Sequence, residues 1–298
     1  MNTAQFAPVF VEANGVAVHL VRMGQGRPLV FLHGWPEFWR IWRKNLPVLA
    51  ASFDCIAPDW RGFGRSRPLI PSDPPQPITP DSLAADLLAL LDRLGLRRVG
   101  LIGHDVGAMA AQAFARAHPE RLVGLFFFDC PYPGIGSRWA NADQLPEIWY
   151  QTFNQQPWAP ALVGHDRETC RLYIQHFLRH WAYDKTAFAD DLEAWVDNFM
   201  APGALAGGFA WYRGIDAMRR AIIRDGPPKL PPIVVPTRIL WGEADPVVRH
   251  IWSDRLGDYF QDFTLRVLPQ AGHFAPFERP DEANVEIESF FRQRFAAG

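Results

Sequence analysis

Cysteine is scarce in this chain: Cys55, Cys130 and Cys170 are the three thiols among 298 residues. Three scattered thiols make no disulfide framework, and none has metal-ligand spacing. They read as reduced, buried residues, and no metal site is expected. Net charge is nearly as scant, −2 from 30 basic and 32 acidic side chains. Nothing in that balance draws the chain to nucleic acid or to an anionic membrane. Long apolar runs are missing too. None reaches the ~18–20 residues of a membrane span, and Met1 to Val9 lacks the basic-then-apolar layout of a secretion signal. There is no internal repeat and no low-complexity tract. The expectation is a soluble cytoplasmic protein, with a homodimer left open.

Aromatic residues, by contrast, are plentiful: 12 Trp and 22 Phe. Several fall beside the motifs described below, as suits a pocket for an apolar small molecule. Val9 to Met23 alternates apolar and polar around Ala13-Asn14-Gly15, a hairpin pattern. From Pro28 the pattern changes to short, wholly apolar runs, as in strands covered on both faces: Pro28 to Leu32, Phe53 to Pro58, Val99 to Gly103, Leu122 to Phe128 and Thr237 to Trp241. Amphipathic stretches intervene at Phe38 to Ala50, Ser82 to Leu94 and Ala108 to Ala117. Strands alternating with helices predict an α/β fold, a mostly parallel sheet flanked by helices. Between the fourth and fifth runs the alternation stops. Aromatic-rich helical segments, Glu168 to Trp181 and Thr186 to Met200, lie there before a proline-rich return at Pro227 to Pro232. The expected organisation is a core of residues 1–130 and 226–298, with a helical cap of residues 131–225 over the strand ends, where ligands of open parallel sheets bind.

Gly103-His104-Asp105-Val106-Gly107 stands where the third run meets a helix. It is a nucleophile elbow, G-x-Nuc-x-G, with Asp in the place of Ser. The turn needs Gly where backbones crowd, and the helix N-terminus aims partial positive charge at the projected side chain. A carboxylate with a reference pKa of about 3.9 is already ionised at neutral pH. It can attack a saturated carbon and form an alkyl ester, which water must then hydrolyse with the help of a base and an oxyanion hole. His273, in Gly272-His273-Phe274, is the candidate base. Its orienting acid is Asp245, after the fifth run, with Asp129, after the fourth, as the alternative. Backbone amides of Trp35, in His33-Gly34-Trp35-Pro36, and of Val106 are the candidate oxyanion hole, and Pro36 is a candidate for a cis peptide. Asp59 to Ser66 reads as a structural loop.

These motifs together resemble the epoxide hydrolase and dehalogenase branch of the α/β-hydrolase superfamily. They are H-G-x-P at His33 to Pro36, D-x-x-G-x-G-x-S at Asp59 to Ser66, G-H-D-x-G at Gly103 to Gly107, G-x-x-D-P at Gly242 to Pro246, and G-H-F at Gly272 to Phe274. The resemblance implies the α/β-hydrolase fold and an Asp105-centred triad. Haloalkane dehalogenases place a Trp after the nucleophile and haloacetate dehalogenases place arginines there, whereas Val106 and Met109 stand in that neighbourhood here. Epoxide hydrolases present two cap tyrosines to the epoxide oxygen. Phe209-Ala210-Trp211-Tyr212-Arg213 resembles the segment of one, and Ile148-Trp149-Tyr150-Gln151 that of the other, making Tyr212 the first choice and Tyr150 the second. Tyr132, Tyr173 and Tyr183 are rivals. The implied activity is epoxide opening to a vicinal diol without cofactor, its partners a small apolar epoxide and water, with Trp35, Trp149 and Tyr212 lining the substrate site. A dehalogenase with the same ester chemistry, or a catalytically silent ligand-binding protein, are the alternatives.

Overall fold

A computed structural model of the chain describes residues 6–72 and 75–296. Its first two strands, β1 (Pro8–Ala13) and β2 (Val16–Met23), pair antiparallel with Ala13 opposite Val16. That register leaves a two-residue turn, Asn14-Gly15, with φ of 46° and 72°. Positive φ at both positions matches the twist of the flanking strands, which is why Asn-Gly closes hairpins.

The remaining strands are β3 (Arg27–Leu32), β4 (Phe53–Pro58), β5 (Arg67–Pro68), β6 (Val99–His104), β7 (Leu122–Phe128), β8 (Thr237–Gly242) and β9 (Phe263–Leu268). They join one sheet in the order β1-β2-β4-β3-β6-β7-β8-β9, with β5 on β2. From β4 across to β9 every neighbouring pair is parallel. The apolar runs explain this: β4 and β6 are buried at every position, so both faces must be covered. Helices Pro80–Arg93 and Val106–Ala117 pack together, the latter on β6, and the C-terminal helix Pro280–Ala296 packs on β7. Between β7 and β8 the described elements are all helical: Pro133–Ala140, Leu145–Phe153, Ala159–Val163, Arg167–His180, Leu192–Met200 and Ala204–Asp225.

Two amphipathic stretches differ from expectation. Phe38 to Ala50 is not one helix but a 3-10 turn, Trp39–Trp42, and a single helical turn, Leu46–Leu49. Pro47 follows Leu46 there, and Asn45 spends its side chain on Pro276 O and on Asn284. Thr186 to Met200 is helical only from Leu192, because Thr186 turns back on the Asp184 carboxylate.

The parallel strands set the site's height. Asp105, Asp129, Asp245 and His273 all follow the carboxyl ends of strands, those of β6, β7, β8 and β9. The helix Val106–Ala117 is pressed onto the end of β3. A Cβ on Gly107 would lie 2.1 Å from Leu32 O, and one on Gly34 would lie 2.6 Å from the Asp105 Cβ. Gly107→Ala should therefore cost about 1–3 kcal/mol of stability through forced overpacking. Urea denaturation checks this, and an unchanged midpoint would contradict the close contact.

Candidate active site

At Asp105 the chain reverses from β6 into the helix with φ 47° and ψ −112°, backbone that a non-glycine residue rarely adopts. The side chain stands up from the sheet with about 19% of its surface exposed. Its Oδ1 accepts the Trp35 backbone N–H at 3.0 Å. The Trp35–Pro36 peptide is cis. Val106, first residue of the helix, is buried, and its N–H has no acceptor one turn earlier in the helix. Both amides named from the sequence thus flank the same carboxylate turn. Burial pushes the Asp105 carboxyl up from its usual value, against the pull of His273, His104 and the Trp35 amide.

His273 is fully buried, with Nε2 4.0 Å from Asp105 Oδ2 and no hydrogen-bond partner for that nitrogen among the described residues. Its Nδ1 donates to Asp245 Oδ2 at 2.8 Å. Asp245 in turn accepts the Val247 and Val248 amides at 2.8 and 3.0 Å on its other oxygen, so the carboxylate is held on both sides. Burial works against a charged imidazole, but Asp245's charge and hydrogen bond outweigh it and His273 is raised above its ordinary pKa of 6.5. Of the two acids considered from the sequence, Asp245 is the one that touches the imidazole. Asp129 accepts the Gly242 amide at 2.7 Å, and its other oxygen has no hydrogen-bond partner among the described residues. Burial and the neighbouring Asp245 push its carboxyl well above the carboxylate range.

Glu37 and His104 escaped the sequence reading. They form a wholly buried pair, Nδ1 to Oε1 at 2.9 Å, with His104 raised to about 9 because Glu37 overcomes the desolvation of the ring. Glu37 also accepts the Gly34 amide at 2.5 Å, and His104 Nε2 donates to the His273 carbonyl at 2.7 Å. The pair therefore ties the Trp35 loop to the His273 loop through the residue before Asp105. The available signal was two ionisable residues inside otherwise apolar, buried motifs. The Asp59 loop is structural, as expected: its carboxylate takes His19 Nδ1, the Trp39 amide and the Arg65 amide.

Above Asp105 lies a cavity of about 730 Å³, lined among others by Asp105, Met109, Tyr150, Trp211, Tyr212 and Ile215. That size lies within the range of small-molecule sites. Tyr150, on Leu145–Phe153, stacks on the Trp35 ring at 5.0 Å and 6°. Tyr212, on Ala204–Asp225, meets both rings edge-on, at 5.5 Å from Tyr150 and 5.4 Å from Trp35. Gln151 donates to the Tyr150 hydroxyl at 3.1 Å. Burial first, then the Asp105 carboxylate, raises the Tyr150 hydroxyl, and the same two influences act on Tyr212 together with Tyr150 itself. Both are firmly protonated donors.

Two of the rival tyrosines have engaged hydroxyls, although Tyr132 also lines the cavity. The Tyr132 hydroxyl donates to Trp252 O, the Tyr173 hydroxyl to Asn154, and Tyr183 is half exposed. Trp149 departs from expectation. It is 43% exposed, packs on Phe153, Tyr173 and Phe177, and does not line the cavity. One residue's step around the helix from Tyr150 turns it away by about 100°. The Trp35 ring is likewise not a lining residue; it is enclosed by Tyr150, Phe177, Trp181 and Tyr212, while its amide reaches Asp105. Among the described residues no group of His, Cys, Asp and Glu is arranged to hold a metal, and no helix is long and apolar enough to cross a membrane.

Comparison with known proteins agrees with this geometry. Residues 27–280 match the family described as the alpha/beta hydrolase fold. Human epoxide hydrolase 4 is 30% identical over 293 residues, covering 96% of this chain and 78% of the relative. The soluble epoxide hydrolase of a Corynebacterium strain is 31% identical over 280 residues, 90% of this chain and 91% of that protein. Among solved structures, a mutant epoxide hydrolase from Bacillus megaterium, complexed with a naphthyloxy-propane-1,2-diol product, superposes with a TM-score of 0.82 at 26% identity, over 95% of this chain and 100% of the other. Sheet order, elbow and sequence matches converge: the chain belongs to the α/β-hydrolase fold family, in its epoxide hydrolase branch.

Proposed function

We propose that the protein opens an epoxide to a vicinal diol through an ester on Asp105, within a cap of residues 131–225 that closes over the strand ends. The observation that carries this reading is the pair of donor hydroxyls, Tyr150 and Tyr212, lining the same cavity as Asp105 and both influenced by its charge. An epoxide oxygen seated on the two hydroxyls is polarised as Asp105 Oδ2 attacks one ring carbon. The C–O bond breaks, and the oxygen stays on the substrate, taking a proton from a tyrosine. The product of this step is a neutral hydroxyalkyl ester. His273, oriented by Asp245, then removes a proton from water, which adds to the ester carbonyl carbon. The Trp35 and Val106 amides receive the oxyanion. As it collapses the ester C–O bond breaks, the departing oxygen takes the proton held by His273, and the acid proton left on Asp105 returns to the tyrosinate, so that the diol leaves and carboxylate, imidazole and phenol are restored. No metal or cofactor enters this chemistry. The homologues named epoxide hydrolases support it.

His273→Gln should form the ester and fail to hydrolyse it. Incubated with an epoxide panel, it should gain the whole mass of one substrate by intact-mass spectrometry, on Asp105. An adduct lighter by a hydrogen halide after haloacid incubation would replace epoxide opening with dehalogenation.

Tyr212→Phe should slow ester formation by about 10²-fold, the effect of a general acid, while leaving hydrolysis of the preformed ester nearly unchanged in a rapid-quench experiment. Equal slowing of both steps would speak against a role at the epoxide oxygen.

The pH dependence follows from His273. The base works deprotonated, so ester hydrolysis rises with pH through the imidazole pKa, which in the free enzyme lies above 6.5. Asp105's negative charge contributes to that elevation, and esterification removes it. The single-turnover hydrolysis midpoint should therefore fall at lower pH than the His273 NMR titration midpoint of the free enzyme. A midpoint at higher pH would exclude His273 as the base.

A further inference from the structure

The cavity over Asp105 is not apolar to its end. Arg116 comes from the last turn of Val106–Ala117 and Arg219 from Ala204–Asp225, and both line it. Arg219 makes no ion pair among the described residues, and its Nε is buried without a hydrogen-bond partner. Its guanidinium carbon lies 5.9 Å from the centre of the Trp139 ring. Arg116 reaches the Gln112 and Pro231 carbonyls, at 3.3 and 3.4 Å, but its Nη2 is buried with no hydrogen-bond partner among the described residues. The neighbouring Arg220 behaves as a surface arginine should: it is paired with Asp216 at 2.7 Å.

A guanidinium held in a pocket without a carboxylate is costly, because desolvation is not offset by a counter-charge. Burial lowers the pKa of both arginines accordingly, Arg219 retaining weak support from the Tyr150 and Asp216 sides. Such donors are satisfied when an anion enters with the ligand, and a planar fork suits a carboxylate. The helix sets the distance. Arg219 follows Tyr212 on the cavity-lining face by two turns, about 10 Å along the axis. Met218, Ile222 and Leu230 supply apolar wall in the same cavity.

We propose that Arg219, supported by Arg116, forms an anion subsite, and that the substrate is an amphipathic epoxide whose carboxylate lies a medium-length apolar chain away from the ring. This rests on the epoxide reading for the reacting end, but the subsite itself is a binding property. It also amends the expectation of a wholly apolar substrate. No arginine stands beside the nucleophile in sequence; the fold brings two into its cavity from further along their helices.

Octanoate and octanamide, which share shape and differ in charge, are the probes, with affinities read by isothermal titration. Wild-type protein should bind octanoate at least tenfold tighter. Arg219→Met should abolish that preference, Arg116→Met should reduce it, and the surface variant Arg220→Met should keep it and the wild-type melting temperature. Equal or undetectable binding of the two probes to wild-type protein overturns the proposal, whatever the variants do. A parallel kcat/KM comparison of 7,8-epoxyoctanoate with its methyl ester separates the two readings. Preference for octanoate with neither epoxide opened would leave the subsite standing and remove the reaction. Both epoxides opened at equal rates, without preference between the probes, would leave the reaction and remove the subsite.

Discussion

The backbone of Asp105 stands at φ 47° and ψ −112°, and much of the site's geometry exists to permit or exploit that one turn. Such a conformation costs on the order of 1–3 kcal/mol for a residue with a Cβ, and persists only where the surroundings over-determine it. Here they do so by close approach. Gly107 lets the following helix press against Leu32 O, and Gly34 lets the neighbouring loop pass against the Asp105 side chain. The result is a carboxylate lifted clear of β6, next to the middle of the sheet, with the Trp35 amide already aimed at it. A relaxed αR residue at this position would send the side chain along the helix rather than over the strand ends.

Holding the partners in register is the work of charges beneath the surface. His104 and Glu37 are both fully buried, and a pair of that kind is strongly destabilising when broken because one charge is left alone. Its value here is connection. Gly34 N–H, Glu37, His104 and the His273 carbonyl form one chain of hydrogen bonds. The loop that carries the Trp35 amide and the loop that carries His273 thus cannot shift independently. The helical segment adds a second tether, the His273 amide donating to Trp181 O at 2.9 Å. His273 is therefore fixed from the sheet side and from the helical side at once.

Much of this was legible before the fold. Apolar runs followed by glycine-rich turns mark strand ends whatever the tertiary context, so the positions of Asp105, Asp245 and His273 followed from periodicity and chain order. The motif resemblance picked out Tyr150 and Tyr212 among six tyrosines. What was not legible depends on rotation and packing. Trp149 and Tyr150 are adjacent, yet one faces outward and one faces Asp105, and composition alone does not phase the helix. Residues 38–50 carry a helical pattern but are used as two short turns, because Asn45 finds better partners at Pro276 and Asn284 across the molecule. Arg116 and Arg219 are over a hundred residues apart and ordinary in sequence; only the packing of their two helices makes them neighbours of one cavity.

The two candidate orienting acids show how burial divides roles between like residues. Asp129 and Asp245 both follow parallel strands, and both sit near the same imidazole. Two buried carboxylates close together cannot both remain charged cheaply, so one must take the proton. Asp245 has two backbone amides on one oxygen and the His273 ring on the other. Asp129 has a single amide and an oxygen with no hydrogen-bond partner among the described residues, and it is this residue that burial and Asp245 drive toward the neutral form. The carboxylate with the fuller set of donors is thus the one in contact with the His273 ring.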